Sequence, residues 1–370
     1  MQCPSAAITR EGATDRYGDS VCWRVTQGSG SSFRALASDL NKSDVDLVSV
    51  QHEFGLYGGW DGTYTDHLGP FLAMLHKPAI TTFHTVLPAP EPAQLAAVCD
   101  IAARSAAVIV MTDVAQRLLV TVYGLPAGKI HVIPHGVPVM RPGLHPEVRA
   151  RLGLAGRTVI TTFGLVDPRK GIEFMVEGMA TVAQRDPRAL YLVLGKSHPE
   201  LVAREGERYR ATIEDLVARR GLQGHVRLVN RYLAEEDIVD YLEATDVYVT
   251  PYLDPNQITS GTLAYALGAG RAIVSTSYLH AVEALDRGRG LLVDFRSAGS
   301  LSAAVLRVIE EPGLRSDLER SAHAWGATTY WPQVARTTAA LFRRVAAEVR
   351  PQRKGPVVNA RTRVAVAGPR

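Results

Sequence analysis

Short runs of β-branched and other apolar residues alternate with longer amphipathic stretches along most of this 370-residue chain. Parallel strands need long connections, which are usually helices, so this alternation predicts parallel sheets covered by helices, an α/β fold. The apolar runs predict ten strands, at residues 45–51, 79–83, 107–111, 130–134, 158–163, 190–194, 225–229, 246–250, 272–275 and 290–293.

The alternation pauses at the proline- and glycine-rich residues 136–143 and then restarts. Two such units predict two Rossmann-like domains that face a cleft. The boundaries that we predict are 1–140 for the first domain, 141–155 for a linker, 156–330 for the second domain and 331–349 for a terminal helix. Ligands of open α/β sheets bind at the carboxyl ends of the strands, so functional residues are sought there.

Composition narrows the class of protein. Hydrophobic residues make up 46% and charged residues 21%, as in globular proteins. No apolar run reaches the roughly 18 residues of a membrane span, and we see no signal peptide. The three cysteines, Cys3, Cys22 and Cys99, have neither disulfide-framework nor metal-ligand spacing, which favours a cytoplasmic location.

The end of the chain has a different charge balance. Residues 350–370 contain six basic residues and no acidic one, together with many prolines, glycines and valines. We predict a disordered, solvated tail. Contact with the anionic inner face of a membrane is the alternative, because each basic residue near such a surface contributes ~1 kcal/mol. No other feature supports nucleic-acid binding, and we predict none.

Residues 257–275 predict a loop, a short helix and a buried strand. Thr259, Ser260 and Gly261 stand at the expected helix start, where unpaired N–H groups and the helix dipole attract anions such as phosphate. A second loop, residues 163–171, follows a predicted strand and contains Lys170. An ordinary helix cap and a solvated turn lysine are the structural alternatives for these two features.

The order and spacing of these segments, over about residues 40–348, resemble family-4 glycosyltransferases of the GT-B fold, and within them the mannosyltransferase-like group. The resemblance implies transfer of a sugar from a nucleotide sugar to a hydroxyl acceptor with retention of anomeric configuration. GDP-mannose is the first expected donor, and the acceptor is a glycan, a lipid-linked sugar or a small molecule. It also implies no metal, no cofactor, and a terminal helix that crosses back to the first domain.

On the donor side, the resemblance makes Lys170 a cation that holds the donor diphosphate. The family arginine of this loop is Leu165 here, and the neighbouring Arg169 is the expected substitute. Gln257 and Tyr265 stand where the family has two glutamates, which contact the donor sugar and the ribose. A core-facing position is the alternative for Tyr265. The remaining expected donor-side residues are Gly164, Gly195 and Arg231, beside the helix start at Thr259, Ser260 and Gly261.

On the acceptor side, His84 follows a strand, and the resemblance places it opposite the donor sugar. The expected catalytic residues are therefore His84, Lys170 and Gln257. The loop of residues 51–59 follows another strand and supplies the residues predicted to bind the acceptor, which are His52, Glu53, Gly58 and Gly59. The structural alternative is a loop that only packs against the fold. Asp44 and Asp46 precede a strand instead of following it, so they indicate a turn, and we predict no metal.

Three departures from the family pattern keep other functions open. Both glutamates are replaced, Leu165 replaces the arginine, and we expect the first domain to lack its first strand and glycine-rich loop. A sugar phosphorylase or transferase with a non-nucleotide donor is one alternative. A catalytically silent sugar- or nucleotide-binding protein is the other.

Overall fold

A computed structural model describes residues 3–12, 16–59, 64–143, 145–349 and 364–367. The chain forms two compact units. Unit 1 comprises Met1–Pro134 and Val334–Arg370, and unit 2 comprises His135–Gln333. Strands β1–β13 and helices α1–α14 are numbered in chain order.

Unit 1 is built on a seven-stranded parallel sheet with the order β2-β1-β13-β3-β4-β5-β6. Its described helices are α1 (Gly30–Lys42), α2 (Leu68–Met74), α3 (Pro92–Arg104), α4 (Asp113–Thr121) and α14 (Trp331–Val349), which belongs to unit 1 from Val334 onward. The strands are β1 (Ser5–Thr9), β2 (Val21–Thr26), β3 (Leu47–His52), β4 (Ala79–Phe83), β5 (Ala107–Val110), β6 (Ile130–Val132) and β13 (Val364–Ala367).

Helix α14 carries the apolar face that its sequence predicts. Leu341, Phe342 and Val345 are buried against strand residues that include Leu47 and Ile80. Burial of an aliphatic or aromatic side chain of this size stabilises a fold by about 1.5–3 kcal/mol, so this face anchors the helix on the sheet of unit 1.

Strand β13 lies in the interior of this sheet. It pairs in parallel with β1 on one side and with β3 on the other, where Ala365 lies opposite Val48. The predicted disordered tail is therefore wrong for residues 364–367; the six basic residues of that segment lie outside the described residues. We expected the first domain to lack its first strand. In the structure the first two strands of unit 1 are β1 and β2, and β13 lies between β1 and β3 in the sheet.

We expect the substitution Ala365→Asp to destabilise unit 1. Ala365 is 1% exposed, and an unpaired carboxylate in such a position costs several kcal/mol. Calorimetry should show a lower unfolding midpoint for unit 1 and an unchanged one for unit 2. Lys354→Asp, outside the described residues, is the control for a change of charge alone. A midpoint unaffected by Ala365→Asp would contradict the docking of β13.

Unit 2 has a six-stranded parallel sheet with the order β12-β11-β10-β7-β8-β9. Chain order reverses between β7 and β10, and such a switch point is where ligands of open α/β sheets bind. The strands are β7 (Thr158–Phe163), β8 (Ala189–Leu194), β9 (Val226–Val229), β10 (Val247–Thr250), β11 (Ala272–Thr276) and β12 (Leu291–Val293).

Nine helices are described in unit 2, and the first of them lies in the segment that we predicted as a linker. Val148 of that helix and the nearby Leu154 are buried in the core of unit 2, so the structural boundary precedes residues 141–155. The helices are α5 (Pro146–Arg151), α6 (Ile172–Arg185), α7 (Pro199–Glu205), α8 (Arg208–Arg219), α9 (Glu235–Glu243), α10 (Gly261–Gly268), α11 (Leu279–Ala284), α12 (Ala298–Glu310) and α13 (Pro312–Gly326).

Candidate functional site

Two glycines meet where β7 and β8 end. Gly164 and Gly195 have φ values of +133° and +132°, which strongly favour glycine. A Cβ on Gly195 would lie 2.2 Å from the carbonyl oxygen of Gly164, so the backbones are in direct contact there. The methyl group of Thr262, at the start of α10, lies 3.4 Å from the position of a Cβ on Gly164. The structure thus brings the two predicted glycines close to the start of α10.

Lys170 ends a short 3-10 turn, Pro168–Lys170, that Asp167 caps. Its ammonium nitrogen lies 3.8 Å from the centre of the Tyr252 ring. The next residue, Gly171, has a φ of +59°, and a Cβ there would lie 2.2 Å from the carbonyl oxygen of Pro251. Glycine at position 171 therefore lets the turn dock against the loop that follows β10.

The start of α10 is capped by Ser260, whose hydroxyl accepts from the N–H of Leu263 at 3.3 Å. The first N–H groups of a helix have no partner within the helix, so Gly261 and Thr262 present donors at this end. Gly261 lies under His135, because a Cβ at position 261 would be 2.9 Å from Nε2 of that ring. The three predicted phosphate-binding residues thus occupy a helix start.

A chain of polar contacts joins Lys170 to this helix start. The Tyr252 ring lies beside the Lys170 ammonium, and its hydroxyl is 2.6 Å from the hydroxyl of Thr262. Thr262 is in turn 3.1 Å from the hydroxyl of Ser260. The cation and the helix start, far apart in sequence, are therefore parts of one cluster.

Gln257 and Tyr265 have distinct surroundings. The Gln257 amide donates to the carbonyl of Thr259 at 3.2 Å, within its own loop. The Tyr265 ring is half-buried against Phe163, while its hydroxyl donates to Glu235 at 3.0 Å. Burial and the Glu235 carboxylate raise the pKa of Tyr265, which therefore stays a neutral donor. Tyr265 thus packs partly in the core and binds a carboxylate at the surface.

The two predicted arginines are engaged in ion pairs. Arg169 bonds Asp167 in its own turn at 3.0 Å, and Arg231 bonds Asp237 at 2.7 Å. Half or more of each arginine side chain is exposed, so these pairs contribute little to stability. A ligand phosphate would have to compete with these carboxylates for either guanidinium.

Unit 1 has a polar cluster where β3 and β4 end. His84 donates from Nε2 to the amide oxygen of Gln51 at 2.8 Å. The Glu53 carboxylate accepts from the Thr85 hydroxyl at 2.9 Å and from the N–H of Phe54 at 3.0 Å. Burial raises the pKa of Glu53, and these two hydrogen bonds partly offset that effect. The structure thus places two predicted residues, His84 and Glu53, at the same edge of the sheet.

His52 is fully buried, which does not fit direct contact with an acceptor. Its ring lies among those of Phe54, Tyr57 and Phe83. Within the described residues neither ring nitrogen has a hydrogen-bond partner. Burial, followed by repulsion from His84, lowers the pKa of His52 to about 3.

The predicted acceptor glycines close a loop. A Cβ on Gly58 would lie 1.8 Å from the carbonyl oxygen of Thr65, and the N–H of Gly59 donates to the Thr65 hydroxyl at 2.8 Å. The first contact explains Gly58 by packing, which was the structural alternative for this loop, whereas a Cβ on Gly59 would meet the Thr65 hydroxyl at an ordinary contact distance of 3.5 Å.

Sequence reasoning missed four residues of the unit 2 cluster, namely His135, Tyr252, Thr262 and His280. Burial lowers the pKa of His135, whose Nδ1 lies 2.7 Å from the carbonyl of Gly136. Tyr252 and His280 follow the carboxyl ends of β10 and β11, a position that is readable from the sequence. His135 instead lies next to α10 through tertiary packing.

The described residues contain no group of three or more His, Cys, Asp or Glu side chains arranged to hold a metal ion. Nor do they include a helix with the length and apolar character to cross a membrane.

Comparisons with known proteins assign both units to one class. Residues 24–141 match the family described as Glycosyltransferase Family 4, and residues 157–311 match that described as Glycosyl transferases group 1. A glycosyltransferase from Rickettsia africae has a TM-score of 0.72 at 15% identity, over 93% of this chain and 98% of that one. The predicted GT-B fold is thereby confirmed, and both matched families are glycosyltransferases.

Among curated proteins the chain is similar to mannosylfructose-phosphate synthase of Agrobacterium fabrum, with 26% identity over 63% of this chain and 52% of that one. It is also similar to D-inositol 3-phosphate glycosyltransferase of Acidothermus cellulolyticus, with 28% identity over 70% and 58%. The chain spans little more than half the length of these relatives. Their names do not single out a mannosyltransferase group.

A third similarity concerns a solved complex. HepE of Anabaena, determined with UDP and glucose, has a TM-score of 0.67 at 16% identity, over 88% of this chain and 85% of that one. At this identity the similarity concerns the fold alone.

The substitution His52→Leu should raise the relative stability of unit 1 as the pH falls. A His whose pKa is lowered in the folded state contributes its full stability at pH values above its unfolded-state pKa of about 6.5. This contribution is lost as the pH falls towards the folded-state pKa of about 3. Between pH 6 and 4 the free energy of unfolding of the wild type, measured with urea, should fall by about 1.4 kcal/mol per pH unit relative to that of His52→Leu. His76→Leu, at an exposed position, is the control. Parallel curves for the wild type and His52→Leu would contradict the burial of a neutral ring.

Proposed function

We propose that this protein is a glycosyltransferase that moves a sugar from a nucleotide-sugar donor to a hydroxyl acceptor. The observation that carries the proposal is the cluster of Lys170, Tyr252, Thr262 and Ser260 beside the switch point of unit 2. A cation and a helix start together provide the positive potential that a diphosphate requires.

The leaving diphosphate gains negative charge as the glycosidic bond breaks. Lys170 and the N–H groups at the start of α10 stabilise that charge more in the transition state than in the ground state. We expect transfer to retain the anomeric configuration, with the leaving phosphate taking the acceptor proton and no metal taking part. GDP-mannose stays a candidate donor, and UDP-glucose joins it because HepE has been solved with UDP and glucose.

A cavity of about 580 Å³ in unit 1 favours an anionic acceptor. Arg10 and Arg24 line it, together with the polar Thr26, Gln27 and one acidic residue, Glu11. The two curated relatives described above are named for a phosphorylated sugar and for an inositol phosphate. We therefore propose phosphorylated sugars and cyclitols as the first acceptors to test, and we propose that their hydroxyls bind at the sheet edge that holds His84 and Glu53.

A panel of nucleotide sugars tests the proposal by thermal shift, because a ligand that binds the folded state raises its unfolding midpoint. The best binder is then incubated with sugar phosphates, and release of nucleoside diphosphate is measured. A panel without any binder would contradict a nucleotide-sugar donor and favour the alternative of a phosphorylase.

We expect Lys170→Ala to weaken binding of the nucleoside diphosphate and to reduce transfer by more than tenfold, because it removes the cation of the cluster. Calorimetric titration with UDP and GDP, beside initial rates, measures both effects. Arg188→Ala is the matched control, since that side chain is exposed and paired with Asp186, and it lies just before the start of β8, away from the cluster. Equal effects of the two substitutions would contradict a specific role for Lys170.

A silent binding protein is the second candidate function. Gln257 bonds the backbone of its own loop, and neither Gln257 nor Tyr265 supplies a carboxylate. Binding of a nucleotide sugar without turnover on any acceptor would favour this candidate, and turnover would exclude it.

A further inference from the structure

His280 is a buried residue that contacts Ser260, the residue that caps the start of α10. It is the second residue of α11 and is 4% exposed. The N–H of Ser260 donates to its Nδ1 at 2.8 Å. A backbone N–H can only donate, so Nδ1 carries a lone pair and the ring proton is on Nε2.

The ring stays neutral in its surroundings. Burial, together with the nearby His135, lowers the pKa of His280 to about 4. The acceptor at Nδ1 is therefore present at neutral pH.

The backbone around His280 binds the same loop. The N–H of His280 donates to the carbonyl of Gln257 at 3.1 Å, and the N–H of Leu279 donates to that of Pro255 at 3.1 Å. Without the His280 ring, the buried N–H of Ser260 would lose its acceptor, and an unsatisfied buried donor is destabilising. The side chain thus completes the attachment of residues 255–260.

We propose that His280 is a positioning residue of the donor site. Its Nδ1 fixes Ser260, and Ser260 is linked through Thr262 and Tyr252 to Lys170. His280 thereby sets the position of the α10 N–H groups relative to the Lys170 cation. This inference rests on the proposed binding of a nucleoside diphosphate at the start of α10.

Two amide substitutions test the role. Asn places its side-chain oxygen near the position of Nδ1, whereas Gln places it one bond further out, near that of Nε2. We expect His280→Asn to bind UDP or GDP within about threefold of the wild type, and His280→Gln to bind at least tenfold more weakly, as measured by calorimetric titration. The rescue by Asn separates positioning through Nδ1 from a need for any polar side chain.

Equal affinity of His280→Gln and the wild type, or of the two variants, would overturn the proposal. If the Gln variant fails to fold, the tautomer of His280 in the wild type, measured from long-range ¹H–¹⁵N spectra, tests the proposal instead. An Nε2–H tautomer supports the role, and an Nδ1–H tautomer overturns it. A wild type that binds neither UDP nor GDP would contradict the proposed function itself, a result distinct from equal binding by the variants.

Discussion

The common direction of the strands is the constraint on which the candidate site depends. Every pairing in both sheets is parallel, so all strands of a sheet end at the same edge. Polar residues that are distant in sequence meet there, such as Gln51 and His84 in unit 1. In unit 2 the same edge assembles the Lys170 turn and the start of α10. Because the cores of both units are apolar, the polar side chains of the candidate site are concentrated at this edge.

Hydrogen bonds then determine how the polar edge of unit 2 is arranged. A single hydrogen bond makes a net contribution of only about 1 kcal/mol to stability, whereas a buried donor without an acceptor costs up to about 3 kcal/mol. Ser260, Thr262, Tyr252 and His280 are therefore specified jointly, because the position of each depends on its neighbour. Such a network favours one arrangement of the helix start over nearby alternatives.

The sequence predicted the regular elements well because apolar runs mark buried strands. Residues 79–83 and 158–163 were predicted with the observed bounds, and the other predicted strands differ by at most two residues at either end. Strands β1, β2 and β13 were missed. β13 has only four residues, and its place between β1 and β3 depends on contacts across more than 300 positions of sequence. His135 was missed because tertiary packing, and not periodicity, brings it to α10.

The replaced glutamates have an electrostatic consequence for the start of α10. Gln257 and Tyr265 add no negative charge there, while Lys170 and the helix dipole remain. A polyanionic ligand therefore meets less repulsion than it would beside two carboxylates. One carboxylate is nevertheless near, because the Tyr265 hydroxyl binds Glu235 at the exposed start of α9. Glu235 lies on α9, so any recognition of neutral hydroxyls by this carboxylate would come from a different helix from α10, which we propose as the phosphate site.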